Sequence, residues 1–202
     1  MTFGALISVM NPLGTVPIFV GLTQDETKKE RNRIVFNTSL NVFIILLISF
    51  FIGKYILIFF GITLNALKIA GGLIIASSGF ALLQGEFTKH KGMKKEKVKN
   101  DVNSRSDISL TPLAIPMIAG PGTISLLITY NQEFKGITNI VIILSSILLA
   151  SIVIYLVLKS SFLIVKKLGA SGINALSRII GFIVISIGIE FIISAIISIL
   201  KL

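Results

Sequence analysis

Two short stretches decide the fold of this chain: Asn11-Pro12-Leu13-Gly14-Thr15 and Gly120-Pro121-Gly122-Thr123. Each lies near the middle of a long run without charged residues, the first covering residues 3–22 and the second residues 108–132. Proline has no N–H for the helical ladder, its ring clashes with the preceding turn, and it restricts the residue before it to extended geometry. The sequence therefore predicts two helices that are broken near their centres.

The composition indicates a membrane protein. Of the 202 residues, 53% are hydrophobic and 14% are charged, and the mean hydropathy is +0.93, whereas about a quarter of the residues of a soluble domain are charged. Six runs are long and apolar enough to cross about 30 Å of hydrocarbon; they cover residues 3–22, 34–53, 69–85, 108–132, 136–158 and 179–200. Lipid offers no partner for backbone polar groups, so each run must be helical, and the runs are too long and too uniformly apolar for barrel strands. We therefore expect an all-α membrane protein with six transmembrane helices.

Basic residues define the predicted orientation, because Lys and Arg are retained on the cytoplasmic face. Of the 19 Lys and Arg residues, all but Lys54, Lys68, Lys135 and Lys201 lie between the first and second, third and fourth, or fifth and sixth runs. Loops 1, 3 and 5 are therefore predicted to be cytoplasmic, and both termini to lie outside. The formal net charge of +10 is interpreted as loops facing an anionic membrane surface. A nucleic-acid partner is not expected, because the lysines of loop 86–107 are not interleaved with stacking aromatic side chains.

The two halves of the sequence resemble each other at an offset of 109 residues. The matched positions are prolines, glycines and one triplet: Pro12 with Pro121, Asn65-Ala66-Leu67 with Asn174-Ala175-Leu176, Gly72 with Gly181 and Gly79 with Gly188. Because each unit has three helices, the second unit enters the membrane from the opposite face, which predicts two inverted repeats. The first repeat covers residues 1–85, a polar lysine-rich loop covers 86–107, and the second repeat covers 108–202, all within one membrane domain. Inverted repeats are typical of alternating-access transporters.

Both broken helices restart with residues suited to a helix N-terminus. Asn11 is a good N-cap and Pro12 suits the first helical position, and Gly120 with Pro121 repeats the arrangement. The free N–H groups and positive dipole ends of both starts would converge on a carboxylate, while the open carbonyls of the preceding half-helices suit an ammonium group. The sequence thus predicts a binding site for a small zwitterionic substrate. Its candidate residues are Asn11, Pro12, Gly14, Thr15, Gly120, Pro121, Gly122 and Thr123, with Ser125 as a further hydroxyl.

An alternative interpretation is that these prolines and glycines only kink membrane helices and allow close packing. Glu190 is the one carboxylate within a predicted span, where a charge is costly unless it faces a cavity or is protonated. It is a candidate for coupling transport to protons or for contacting a substrate amine, and a neutral glutamic acid hydrogen-bonded between helices explains it equally well. His90 is the single histidine; it lies in the polar loop and is assigned no chemistry.

The two motifs together resemble the MarC family of integral membrane proteins, whose halves carry Asn-Pro-x-Gly in the first helix and Ala-Gly-Pro-Gly in the fourth. The matching residues here are Asn11-Pro12-Leu13-Gly14 and Ala119-Gly120-Pro121-Gly122, and the similarity continues through Ala70-Gly71-Gly72 and through Arg178 with Gly181. The resemblance implies a six-helix, transporter-like fold, and some family members are described as carriers of small neutral amino acids such as glycine and alanine. Glutamine is frequent in the family where Glu190 stands, so the resemblance does not support a general coupling role for a carboxylate at this position.

The leading functional prediction is a secondary transporter that moves small neutral amino acids across the cell membrane by alternating access. It is expected to be coupled to protons or sodium ions and to hold no cofactor or metal. A small-solute channel, or an exporter of an unknown metabolite, is the alternative. An enzyme is not expected, because the chain has no cysteine and one histidine and its predicted spans lack the His pairs, Ser–His pairs and Asp pairs of intramembrane proteases.

Overall fold

The computed structural model describes residues 2–84 and 109–200, and all regular secondary structure within these ranges is helical. The helices are α1 (Thr2–Met10), α2 (Pro12–Thr23), α3 (Lys28–Phe60), α4 (Leu64–Gln84), the π-helical segment α5 (Ser109–Ile118), α6 (Pro121–Glu133), α7 (Ile137–Lys159) and α8 (Ser161–Leu200). The predicted polar loop 86–107, with His90, lies outside the described residues. The prediction of an all-helical protein is confirmed.

Within the described part of the chain, five helical segments are long and apolar enough to cross a membrane. They are Thr2–Thr23, which contains α1 and α2, together with Lys28–Phe60, Leu64–Gln84, Ile137–Lys159 and Asn174–Leu200. The predicted run 108–132 is divided between α5 and α6, and neither of these short helices is a candidate span by itself. That this pair forms a sixth crossing therefore stays a prediction.

The beginnings of α3 and α4 follow from local capping. Thr27 begins α3 with a capping box, in which its side chain accepts a hydrogen bond from the N–H of Glu30 and the Glu30 carboxylate accepts one from the N–H of Thr27. Thr63 Oγ1 accepts a hydrogen bond from the N–H of Ala66, and α4 accordingly begins at Leu64, five residues before the predicted run at 69. Lys68 therefore lies inside a helix.

The last helix, α8, is bent near its beginning. Gly169 has φ 63° and ψ 176°, which are not helical values. A positive φ of this kind is open to glycine at no steric cost. The bend separates the short segment after Ser161 from the apolar span Asn174–Leu200, so most of the predicted fifth loop is helical.

Contacts made by helices of the first repeat are also made by the corresponding helices of the second repeat, where helices correspond at the 109-residue offset. In the first half, α1 packs against α7 and α2 packs against α8; in the second half, the corresponding helices α5 and α6 pack against α3 and α4. Two further matched contacts join α1 to α6 and α2 to α5. The pairs α3–α7 and α4–α8 join corresponding helices, and α4–α8 is the most extensive of the described helix pairs.

A large apolar cluster joins α1, α2, α3, α5, α6 and α7 and includes Phe191 of α8. Its fully buried members include Leu6, Met10, Phe50, Leu126 and Ile147. A second, smaller cluster of Ile75, Leu82 and Val184 lies where α4 crosses α8. Because hydrocarbon offers little hydrophobic driving force between helices, close van der Waals packing of this kind is what holds membrane helices together.

Candidate functional site

The first break consists of one residue. Asn11 lies between α1 and α2 with φ 45° and ψ 66°, the left-handed conformation, which asparagine adopts more readily than most residues. Its N–H still donates to the carbonyl of Ile7 at 2.9 Å, and its Oδ1 accepts a hydrogen bond from the N–H of Gly14 at 3.2 Å. The predicted N-cap is therefore formed.

Gly14 provides the room that this cap requires. A Cβ at position 14 would lie 2.2 Å from Nδ2 and 3.0 Å from Cγ of Asn11, so the carboxamide lies directly over the glycine. Asn11 is only 1% exposed, and its Nδ2 has no hydrogen-bond partner among the residues that the structure describes. A buried amide donor without a partner is costly, which makes this atom the most distinctive feature of the break.

The second break has a different geometry. Here α5 is π-helical and ends with the N–H of Ala119 donating to the carbonyl of Ala114 at 2.9 Å, five residues back. Gly120 follows in an extended conformation, with φ −79° and ψ 174°, and α6 begins at Pro121 without a side-chain cap. The N–H groups of Gly122 and Thr123 therefore lie in an uncapped first turn, which is the kind of helix start that binds anions.

The hydroxyls of the two motifs are directed at their own helix breaks. Thr15 Oγ1 donates to the carbonyl of Pro12 at 2.6 Å, and Thr123 Oγ1 donates to the carbonyl of Ile118 at 3.3 Å. Both threonines are buried, at 0% and 2% exposure. Their protons are used in these hydrogen bonds, so each oxygen retains only acceptor capacity, which suits an ammonium donor better than a carboxylate.

The two breaks lie close to each other. A Cβ on Gly122 would be 2.9 Å from Cγ1 of Ile75 in α4 and 3.6 Å from Cγ1 of Val9, which is two residues before the first break. Pro12 and Gly120 are buried, Gly14 is half-buried, and Pro121 is exposed. The structure thus brings the beginning of α6 against the end of α1.

Glu190 has a different environment. Its side chain is exposed on α8, unlike the buried residues at the breaks. Neighbouring Ile189 is also exposed, at 46%. A coupling role for Glu190 stays a prediction.

One ion pair was missed by the sequence analysis. Lys68 Nζ contacts Glu133 Oε1 and joins the beginning of α4 to the end of α6. The lysine side chain is 6% exposed and the glutamate side chain 36%. The signal for the lysine was Thr63, an N-cap residue type whose position places Lys68 inside the helix rather than in a loop.

The fold and the site define a class of helical membrane protein in which two interrupted helices meet inside the molecule. The chain belongs to the MarC family: residues 1–200 match the profile described as MarC family integral membrane protein. It is 39% identical to a membrane protein of Buchnera aphidicola subsp. Acyrthosiphon pisum over 94% of this chain and 87% of that protein.

Two further relatives have similar coverage. The chain is 34% identical to the membrane protein YhcE of Escherichia coli (strain K12), over 96% of this chain and 89% of the relative. It is also 34% identical to the inner membrane protein MarC of Salmonella typhimurium, over 97% of this chain and 92% of the relative. No solved structure matches the chain. The family resemblance expected from the two motifs is confirmed.

Proposed function

We propose that this protein is a secondary transporter of small neutral amino acids such as glycine and alanine. The substrate carboxylate binds where α2 and α6 begin, and its ammonium group binds the carbonyl oxygens at the ends of α1 and α5 and the hydroxyl oxygens of Thr15 and Thr123. Transport proceeds by alternating access across the cell membrane and is coupled to protons or sodium ions.

The observation that carries this proposal is the unpartnered Nδ2 of Asn11. This donor is buried at the start of α2, so a substrate carboxylate would supply the hydrogen-bond acceptor that the protein does not. A positive helix end and a side-chain donor at one point favour an anionic group over a neutral one. The close approach of Gly122 to Val9 brings the second helix start near enough to share one small ligand.

The matched packing of the two halves supports the inverted repeat on which alternating access depends. Gly72 of α4 lies against Gly188 of α8, and Gly79 lies against Gly181. At the 109-residue offset Gly72 corresponds to Gly181 and Gly79 to Gly188, so exchanging the two repeats exchanges one contact for the other. A two-fold axis in the membrane plane, between α4 and α8, has this property.

We further propose that six helices cross the membrane, with loops 1, 3 and 5 cytoplasmic and both termini outside. The relative from Salmonella typhimurium is named an inner membrane protein, and the five long apolar helices support a multi-pass arrangement for this chain. Lys28, Lys29, Arg31 and Arg33 lie at one end of α3 and support the assignment of that end to the cytoplasm.

The test is uptake of labelled glycine or alanine by liposomes that contain the purified protein. Asn11→Asp is the most informative variant, because its carboxylate still accepts the Gly14 N–H and tolerates a positive φ, but it has no donor and repels a substrate carboxylate. We expect saturable uptake by the native protein and a loss of at least about tenfold in apparent affinity in the variant, which corresponds to roughly 1.4 kcal/mol.

Two results would contradict the proposal. Uptake that rises linearly with substrate and never accumulates against a gradient identifies a channel. Unchanged uptake in both Pro12→Ala and Pro121→Ala, which restore continuous helical ladders, removes the broken helices as the binding site.

A further inference from the structure

A line of polar side chains runs along the face of α6 that packs against α4. Ser125, Thr129 and Glu133 are spaced one helical turn apart and share this face. At one end of the line, Ser125 Oγ donates to the carbonyl of Leu67 at 3.3 Å. At the other end, Glu133 pairs with Lys68. The line is therefore buried at Ser125 and Thr129 and reaches the molecular surface at Glu133.

Thr129, at the middle of this line, is 0% exposed, and within residues 2–84 and 109–200 its hydroxyl has no hydrogen-bond partner. A threonine in a helix ordinarily donates to the carbonyl one turn back, as Thr23 does to Phe19 at 2.8 Å. An unpartnered hydroxyl in a packed interface is unfavourable. Among the described residues it is one of six buried side-chain polar atoms without a hydrogen-bond partner, the others being Asn11 Nδ2, Arg31 Nε, Thr38 Oγ1, Gln132 Nε2 and Ser161 Oγ.

The polar line connects the second helix break to one face of the molecule. Gly122, at the break, lies one turn before Ser125, and Glu133 is the last residue of α6. On α4, Gly71 lies directly against the line, because a Cβ on Gly71 would be 2.0 Å from Ser125 Oγ. The face that the line reaches is where α4 begins and α6 ends, which is predicted to be outside the cell.

The corresponding interface in the first half carries no charged pair and is apolar where Ser125 and Thr129 stand in the second half. At the 109-residue offset Val16, Val20 and Gln24 correspond to Ser125, Thr129 and Glu133. On the facing helix, Ser177 and Ile180 correspond to Lys68 and Gly71. Since α2 packs against α8 as α6 packs against α4, helix packing alone does not require the polar residues, the lysine or the glycine in the second half.

The ion pair at the end of this line separates only at a high energetic cost. Lys68 is 5% exposed, and moving Glu133 away alone would leave an uncompensated buried ammonium group, which is strongly unfavourable. A ligand that carries both charges removes this cost, because its carboxylate pairs with Lys68 while its ammonium group pairs with Glu133. A carboxylate or an amine alone satisfies only one of the two partners.

We propose that the α4–α6 interface is the route by which a zwitterionic amino acid passes between this face of the membrane and the helix breaks. The Lys68–Glu133 ion pair is the closed gate of this route and also the first binding site of the zwitterion. The inference rests on the proposed function and adds to it a path, a gate and a reason for selecting zwitterions at entry.

The test uses the natural absence of cysteine. Thr129→Cys replaces the hydroxyl directly behind the gate by a thiol and removes one methyl group. The reaction of this thiol with a charged methanethiosulfonate reagent is followed in purified full-length protein in nanodiscs. We expect slow labelling without ligand and labelling at least about tenfold faster with glycine, as the open state becomes populated. Acetate and ethylammonium at the same concentration should leave the rate unchanged. Val16→Cys, equally buried at 0% exposure on the apolar counterpart interface, is the control and should not respond to glycine.

Two pairs of substitutions, each combined with Thr129→Cys, test the gate itself. The reversed pair, Lys68→Glu with Glu133→Lys, presents the same two charges and should keep the glycine response of the thiol at position 129. The neutral pair, Lys68→Met with Glu133→Gln, should label rapidly without ligand and show no response. Equal labelling rates with and without glycine in the native pair, or an equal response to acetate, would overturn the inference.

The outcomes separate this inference from the proposed function. Saturable glycine uptake without any change in labelling at position 129 would support the transporter and contradict the route. A glycine-dependent change in labelling at position 129 without saturable uptake would support the zwitterion gate and contradict the carrier.

Discussion

Gly72 in α4 and Gly188 in α8 approach each other so closely that a Cβ on either residue would lie 2.6 Å from the carbonyl oxygen of the other. The contact is reciprocal, and it is repeated further along the same helices by Gly79 and Gly181, at 2.7 Å and 2.9 Å. Helices can meet backbone to backbone only where no side chain intervenes. These glycines therefore set the distance between α4 and α8, the helices on either side of the proposed two-fold axis.

Replacing Gly72 by alanine should destabilise the protein. The new Cβ would meet a backbone carbonyl, which cannot move without shifting α8, and overpacking of this kind costs about 1–3 kcal/mol. Thermal unfolding in detergent, followed by circular dichroism, measures the change. Gly4→Ala is the matched control, because nothing lies within 4 Å of a Cβ there and alanine is favoured in a helix. Equal stability of Gly72→Ala and the native protein would contradict the close approach of α4 and α8.

Replacing Gly14 by alanine should abolish transport with little change in stability. Its Cβ, 2.2 Å from Asn11 Nδ2, would displace the carboxamide, and loss of an N-cap costs about 1 kcal/mol. The better helix propensity of alanine stabilises the protein by a similar free energy, so the two effects on stability nearly cancel. Uptake and thermal unfolding are measured on the same preparation.

The control for this prediction is Gly21→Ala, in the same helix, where nothing lies within 4 Å of the Cβ. This variant should transport like the native protein. Native uptake by Gly14→Ala would show that the position of the Asn11 side chain is not needed for substrate binding.

The broken helices could be predicted from the sequence because proline acts on its nearest neighbours. Pro12 and Pro121 remove a helical N–H wherever the chain is placed, and both helices restart at these residues. The extended geometry expected of the residue before each proline is found at Gly120, but it is wrong for Asn11, which is left-handed. In this conformation the Asn11 side chain accepts a hydrogen bond from the Gly14 N–H.

The gate residues were missed because their pairing is not local. Lys68 and Glu133 are separated by 65 positions, and no pattern along the chain indicates that one compensates the charge of the other. The predicted start of the third transmembrane helix was wrong for the same reason. It was placed after Lys68 because an unpaired lysine is costly within a span. Glu133 removes that cost.

The predicted orientation is tested by single cysteines introduced into a chain that has none. Lys29→Cys and Lys94→Cys lie in the predicted cytoplasmic loops 1 and 3, and Lys135→Cys lies in a predicted outer loop. In intact cells, an impermeant maleimide should label position 135 alone, and lysis should expose the other two. Labelling of positions 29 and 94 from opposite faces would show that an odd number of crossings separates them, which contradicts six spans with loops 1 and 3 on one side.

The fit of Ser125 against Gly71 predicts that the effect of Ser125→Gly on stability changes sign when residue 71 is alanine. Ser125→Gly alone should destabilise the protein by roughly 1 kcal/mol, because glycine is a poor helix former. Gly71→Ala alone should cost about 1–3 kcal/mol, since its Cβ would lie 2.0 Å from Oγ and 2.7 Å from Cβ of Ser125. Combined, the two substitutions exchange the side chain across the interface, so Ser125→Gly should stabilise the Gly71→Ala protein, with an interaction energy of about 1–3 kcal/mol. Additive effects in thermal unfolding would mean that α4 and α6 do not meet at these residues, and the polar line on α6 would then not face α4.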